Sequence, residues 1–292
     1  MHYPRIVPAL YVKFGKLVKS YKFSKHHILG CVTTQMNRFK EWDLDEIVII
    51  DITNHSTKND RNYKPGCGYH FFDLIPKISE NCFTPLSIGG GIYTLKDIHN
   101  YLNLGADRVI IGSAIFKESN LIYKSAKTFG SQAIIICLDI KKVNNQYFIT
   151  KNNGKTIIKA NLKEYILNLV DQGAGEVLIN YVDNDGTNSG LDQILIKKIV
   201  SFCPIPVTIL GGANKLIDFE LAINNGVNGV SAGNYFLFKE VSYQRLKDHL
   251  FKKKIISRKS NLGLDYRKEI SKPEYSSSVG YIFNRLEKSL NE

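Results

Sequence analysis

The sequence predicts an α/β protein of the (β/α)8 barrel class, and three observations carry that prediction. Eight short apolar runs recur at Ile6–Tyr11, Ile47–Ile52, Leu86–Ile88, Arg108–Ile111, Ala133–Asp139, Val177–Asn180, Val207–Leu210 and Gly229–Ala232. Amphipathic helical segments such as 94–104, 119–128, 161–172, 191–202 and 214–225 lie between them. Strands apolar on both faces and covered by helices make a parallel sheet, and eight such units close into a barrel. The third observation is an internal doubling, which an open doubly wound sheet does not predict.

The doubling runs strand by strand at offsets of about 120 to 130 residues. Pro8-Ala9-Leu10-Tyr11-Val12-Lys13 aligns with Ile136-Cys137-Leu138-Asp139-Ile140-Lys141, and Asp45-Glu46-Ile47-Val48 with Gly175-Glu176-Val177-Leu178. After the third strand comes Gly89-Gly90-Gly91; after the seventh comes Gly211-Gly212-Ala213. Glycines between a strand and a helix remove every Cβ where a phosphate would approach, and they leave backbone N–H groups to bind it. Gly112-Ser113 and Gly233-Asn234 follow the fourth and eighth strands in the same relation. Two cradles facing each other across one barrel mouth predict a ligand with a phosphate at each end.

Three stretches fall outside the repeat. Residues 54–69 are polar and contain Gly and Pro, as a long loop after the second strand would. Asn152-Asn153-Gly154, between apolar alternations in 142–158, reads as a hairpin after the fifth strand. Residues 254–292 are basic and Ser-rich before a possible helix around Tyr281–Leu290, so the domains expected are a barrel at 1–253 and an extension at 254–292.

Composition narrows the function classes. No run approaches the ~18 apolar residues of a membrane span, and the first residues lack a signal-peptide layout. The five cysteines, 31, 67, 82, 137 and 203, are scattered without metal-ligand spacing and read as reduced thiols of a cytoplasmic protein, with no metal or cofactor called for. The net charge is +12, and residues 239–292 supply about half of it, with thirteen Lys/Arg against seven Asp/Glu (13 − 7 = 6). No basic helix or aromatic platform accompanies that charge, so nucleic acid is not the expected partner; a solvated surface or a phosphorylated small ligand accounts for it.

Several motifs occur in one order: Arg5-Ile6-Val7-Pro8, Asp51-Ile52-Thr53, Gly89-Gly90-Gly91-Ile92, Thr128-Phe129-Gly130-Ser131-Gln132-Ala133, Gly173-Ala174-Gly175-Glu176, Asp185-Gly186-Thr187 with Ser189-Gly190, and Gly211-Gly212-Ala213. In this order they resemble the cyclase subunit of imidazole glycerol phosphate synthase over about residues 4–253. The resemblance implies a (β/α)8 barrel that docks a class I glutaminase on its N-terminal face and passes ammonia to a bisphosphorylated substrate at its C-terminal face. It implies a catalytic carboxylate at Asp139 and another at the end of the first strand, where this sequence has Tyr11. A phenol has a reference pKa near 10, about six units above a carboxylate, and is no base at neutral pH. The resemblance also implies phosphate contacts at Gly90, Gly91, Gly112, Ser113, Gly186, Thr187, Gly211, Gly212, Gly233 and Asn234. It places an ammonia gate at Arg5, Glu46, Arg108 and Glu176, and a glutaminase contact at Asp107. The loop Lys13-Phe14-Gly15-Lys16 has Phe14 where the family has an acidic residue.

Plainer readings stand beside these. The four charges are also a structural salt-bridge ring, Asp107 a surface aspartate, Asp139 a turn cap and Asp185-Gly186-Thr187 a turn signal. Cys137 reads as packing. With the gate kept and one catalytic aspartate absent, the expected function is the ammonia-channelling half of a glutamine amidotransferase, acting with a separate synthase on a nucleotide-linked sugar for surface polysaccharide. The alternatives are a genuine cyclase of histidine biosynthesis and a non-catalytic scaffold for the glutaminase.

Overall fold

The computed structural model describes residues 3–53, 70–80, 82–118, 120–239 and 241–256. Loop 54–69, the helix expected at Tyr281–Leu290 and nearly all of the extension 254–292 lie outside the described residues.

Eight strands pair in parallel around a closed ring. They are β1 (Arg5–Lys13), β4 (Ile47–Asp51), β5 (Leu86–Gly89), β6 (Arg108–Ile111), β7 (Ile134–Val143), β10 (Glu176–Tyr181), β11 (Val207–Leu210) and β12 (Gly229–Ala232). The ring closes where β12 pairs with β1, from Arg5 opposite Gly229 to Pro8 opposite Ala232. Alternation along each strand decides which side chains point inward. On β1, Ile6, Leu10 and Val12 pack in the outer layer under the helices. Val7, Ala9 and Tyr11 point into the barrel, with Val48, Ile110, Ile135, Leu178 and Leu210 from other strands.

The described helices include α1 (Val32–Phe39), α2 (Phe71–Ser79), α3 (Leu95–Asn103), α4 (Leu121–Phe129), α5 (Leu162–Asp171), α6 (Gln193–Val200), α7 (Leu216–Asn224), α8 (Asn234–Leu237) and α9 (Ser242–Lys252). Several begin where the sequence supplies an acceptor for their free N–H groups. Thr94 Oγ1 accepts from Asp97 N while Asp97 returns a bond to Thr94 N, a reciprocal cap on α3. Asn161 caps α5 and Asp192 caps α6 in the same sense.

Two hairpins rise from the C-terminal face. The first was not apparent in the sequence: β1 turns at Phe14-Gly15 into β2 (Lys16–Tyr21), which pairs antiparallel with β1 and with β3 (Lys25–Gly30). Its turns put Phe14, Lys22 and Phe23 at positive φ, positions where Asn or Gly would have been the signal. The second is the expected one after the fifth strand, shifted in position. β7 folds back into β8 (Gln146–Lys151) at Asn144-Asn145, and Asn152-Asn153-Gly154 makes the later turn to β9 (Thr156–Ile157).

Cys82, Cys137 and Cys203 are free, as expected, but Cys31 is disulfide-bonded, which corrects the reading of all five thiols as reduced. Scattered cysteines carry no spacing signal, so only proximity in the fold reveals such a bond.

Candidate functional site

The carboxyl ends of the strands surround a cavity of about 510 Å³, within the range of small-molecule sites. Gly90, Gly91, Gly112, Ser113, Tyr11 and Asp139 all line it. A smaller pocket of about 30 Å³ adjoins it, lined by Gly186, Gly211, Gly212, Gly233 and Asn234. Tyr11 and Ser20 border both. The two glycine runs thus line neighbouring spaces that meet at Tyr11. Thr187 lines neither space; its hydroxyl is engaged within its own turn with Asn184 O and Ser189.

The glycines are needed for the same reason in both halves. Gly90 sits at φ +109°, and a Cβ there would lie 2.2 Å from the carbonyl oxygen of Asp51 at the end of β4. Gly211 sits at φ +116°, and its Cβ would meet the carbonyl of Tyr181, at the end of β10, at 2.6 Å. Each glycine therefore lets its loop lie close against the end of the preceding strand, where a side chain would clash.

Asp139 stands half-buried at the cavity floor. Burial, with the charge of Asp185 behind it, pushes its carboxyl up to about 7, where it holds or releases a proton near neutrality. Tyr11 is buried, and burial together with the charges of Asp185, Cys137 and Asp139 pushes its phenol well above the ordinary value. Its O–H stays protonated near neutrality, so of the two strand-end positions where the resemblance implies a carboxylate, only Asp139 has one. Burial and Asp139 likewise push up the Cys137 thiol, in keeping with a packing role.

Several site residues carried no separate signal in the sequence. Asn180, next to Asp139 in the β10–β7 register, donates from Nδ2 to the Tyr11 hydroxyl at 3.4 Å. Ser20 on the first hairpin donates to Asp185 Oδ2 at 2.6 Å, and Phe23 N donates to the same oxygen at 3.2 Å. Asp51 accepts from Thr53 N, and Thr53 Oγ1 in turn accepts from Phe14 N at 2.9 Å. Lys117, Lys151 and Lys155 bring positive charge to the cavity wall. The only prior hint was the Asp51 and Asp185 motifs; the rest depends on which loops meet.

At the opposite end, Arg5, Glu46, Arg108 and Glu176 meet in one closed ring. Arg5 binds Glu46 through NH1 and Glu176 through NH2, the latter at 2.7 Å. Arg108 NH1 lies 2.7 Å from Glu176 and 3.6 Å from Glu46. Ser87 Oγ donates to Glu46 and Thr208 Oγ1 to Glu176, each at 2.6 Å. Burial alone would raise Glu176, but Arg108 and Arg5 outweigh it and hold the carboxylate below its ordinary value. Burial opposes the charge of Arg5 as well, and Glu46 and Glu176 overcome it. Each guanidinium of the ring thus meets both carboxylates, with the apolar interior above it. Asp107, beside it, is exposed and accepts the N–H of Leu86 at 2.8 Å, so it pins the start of β5.

Comparison with known proteins agrees with this geometry. The model of the family described as histidine biosynthesis protein matches residues 5–242. The imidazole glycerol phosphate synthase subunit HisF of Campylobacter concisus is 34% identical over 246 residues, covering 84% of this chain and 94% of that one. The HisF subunit of Natranaerobius thermophilus is 33% identical over 250 residues, 85% and 96% of the two chains. That of Helicobacter hepaticus is 33% identical over 247 residues, 84% and 94%. By these matches over most of its length, and with its closed barrel, this chain belongs to the histidine biosynthesis protein family, as a divergent barrel of the HisF cyclase-subunit type.

Proposed function

We propose that this barrel handles ammonia for a glutamine amidotransferase: a class I glutaminase docks at the N-terminal face, and ammonia crosses the interior to the C-terminal cavity. The acceptor in this reading is a nucleotide-linked sugar, amidated with a separate synthase. The observation that carries the reading is the charge ring. Two arginines and two glutamates, each arginine paired with both glutamates, sit at one mouth of an apolar interior whose other mouth is the cavity. Tyr11 supports it from the other end, since an O–H that does not ionise cannot share acid–base work with Asp139.

The test compares glutamate released with amidated product in the glutaminase complex, for wild type and Glu46→Ala, with free ammonium as control. Removing Glu46 leaves Arg5 without one partner at a mouth open to water, where the folding cost is softened. We expect an intact complex that releases glutamate without matching product, and recovers product on added ammonium. Equal coupling in both proteins makes the ring structural.

A second reading, a true cyclase, is favoured by the Asp139 carboxyl poised at about 7. Its test is turnover of the bisphosphorylated ribonucleotide of histidine biosynthesis with ammonium. With one acid–base group missing, the expected rate is at least ~10³-fold below that of a relative with a carboxylate in place of Tyr11. Turnover at the relative's rate would establish the second reading.

A further inference from the structure

The two hairpins of the C-terminal face share a charge pattern that the barrel itself does not use. Residues 13–30, which hold β2 and β3, contain five lysines and two histidines. Residues 141–161, which hold β8 and β9, contain five more lysines. Neither stretch has an Asp or a Glu, although the chain has 27 of them. None of the ten lysines forms an ion pair among the described residues, whereas Lys124, Lys247 and Lys252 on the helices do. Of the ten, only Lys151 and Lys155 line the cavity and none lines the smaller pocket, so a small anion bound there leaves eight without a counter-charge. Like charges gathered without partners raise the local potential and attract a surface of opposite sign.

The same hairpins expose apolar side chains on open sheet edges. Among the described residues β3 pairs with β2 alone, and β9 with β8 alone. Ile28 and Leu29 on β3 are 63% and 38% exposed, and Ile157 on β9 is 40% exposed. The parent strands β1 and β7 stand four places apart in either direction around the ring of eight. The hairpins therefore flank the cavity from opposite sides: Phe23 and His26 line it from one, Asn152 and Lys155 from the other. A surface resting on both covers the mouth between them.

We propose that the two hairpins are the docking surface for the ammonia-accepting synthase, whose carboxylates meet the lysines and whose apolar side chains cover Ile28, Leu29 and Ile157. The proposal rests on the ammonia-handling reading above and supplies a contact which that reading leaves open. Three features choose this occupant. Lysines along both edges repel a second copy of this chain. Exposed Ile and Leu among charges suit a protein interface, with its apolar core and charged rim, and offer nothing to a phosphate backbone. A partner seated across both hairpins also holds its acceptor site over the cavity, so ammonia passes between the two without meeting bulk water. Charge steering makes the association fast at low salt and slower as salt screens it.

The probe is the synthase that forms amidated product in the coupling assay, titrated into the complex of the full-length protein with its glutaminase. Lys22→Glu/Lys25→Glu and Lys159→Glu reverse exposed charges on the two hairpins, and Ile28→Ser removes an apolar contact without touching a charge. Each should weaken synthase binding about tenfold or more, and the charge variants should also flatten the salt dependence of the association rate. Lys127→Glu/Lys197→Glu, exposed on α4 and α6, should bind as wild type. Circular dichroism and glutaminase binding check that every variant is folded. Wild-type affinity in all three hairpin variants overturns the proposal. Equal loss in the helix variant does so too, because the effect is then one of net charge. A single-stranded RNA oligonucleotide is the competing occupant. RNA bound more tightly than the synthase, and weakened by the lysine variants but not by Ile28→Ser, assigns the face to nucleic acid and overturns the proposal. Product that stays coupled to glutamine hydrolysis in all hairpin variants removes the docking surface and leaves the ammonia-handling reading standing. No product from either glutamine or ammonium removes that reading and the docking proposal with it, so the two failures are told apart.

Discussion

Asp139 carries the titration behaviour of the cavity floor. Its folded pKa of about 7 lies above the 3.8 of an ordinary aspartate, so the native state keeps a proton that the unfolded chain has released. The stability tied to that proton is complete below about pH 4 and is lost as pH rises through about 7. Asp139→Asn has no such proton to lose. Denaturant unfolding should therefore show the variant gaining on wild type between those pH values. The gain should stay below the ~4 kcal/mol of a full three-unit shift, because the carboxyl is only half-buried. A difference that is flat with pH would return Asp139 to the ordinary carboxylate range and weaken its candidacy as an acid–base group.

The first hairpin walls one side of the cavity through Ser20, Phe23 and His26. Ser20, buried on β2, holds Asp185, and Gly186 allows the contact because any Cβ there would come 2.0 Å from the Ser20 carbonyl. Lys22 N also donates to the Asp185 carbonyl at 2.9 Å. Only the Ser20 bond is carried by a side chain from the hairpin. Ser20→Ala should cost about 1–2 kcal/mol, as a hydrogen bond to a charged group does, since Phe23 N still serves the carboxylate. Amide exchange should then quicken over Lys16–Gly30 while β4, β7 and β10 stay protected. Unchanged exchange in the hairpin would mean that its backbone contacts suffice to seat it.

At the scale of the whole molecule, the two barrel ends have separate chemistries joined by the interior. If a glutaminase docks at the ring end, Asp107 is both a contact and the acceptor that pins β5, and two substitutions separate these roles. Asp107→Lys reverses the charge and removes the acceptor; Asp107→Asn keeps an acceptor for Leu86 N and removes only the charge. Calorimetric titration of a 1:1 complex should show Asp107→Lys weakened by about tenfold or more, near 1.4 kcal/mol, and Asp107→Asn by less. Wild-type binding by both would exclude Asp107 from the interface. Matching losses in binding and in Tm for Asp107→Lys alone would trace the effect to the strand pin.

The strands, most helices, the internal doubling and both glycine cradles were legible from the sequence alone, because each rests on local periodicity or on residues a few positions apart. Arg5, Glu46, Arg108 and Glu176 were legible as a group only by resemblance, and the structure supplied the contacts that close them into one ring. Tertiary structure alone decided the first hairpin, whose turns put Phe14, Lys22 and Phe23 at positive φ, with Gly15 the one usual turn residue among them. It also decided that Thr187 turns to its own loop, that Cys31 is bonded, and that Asn180 meets Tyr11 across 169 residues. These contacts join strands and loops far apart in the chain. Whether a side chain is paired, orphaned or shifted in pKa depends on what stands across the barrel from it, and no local pattern encodes that.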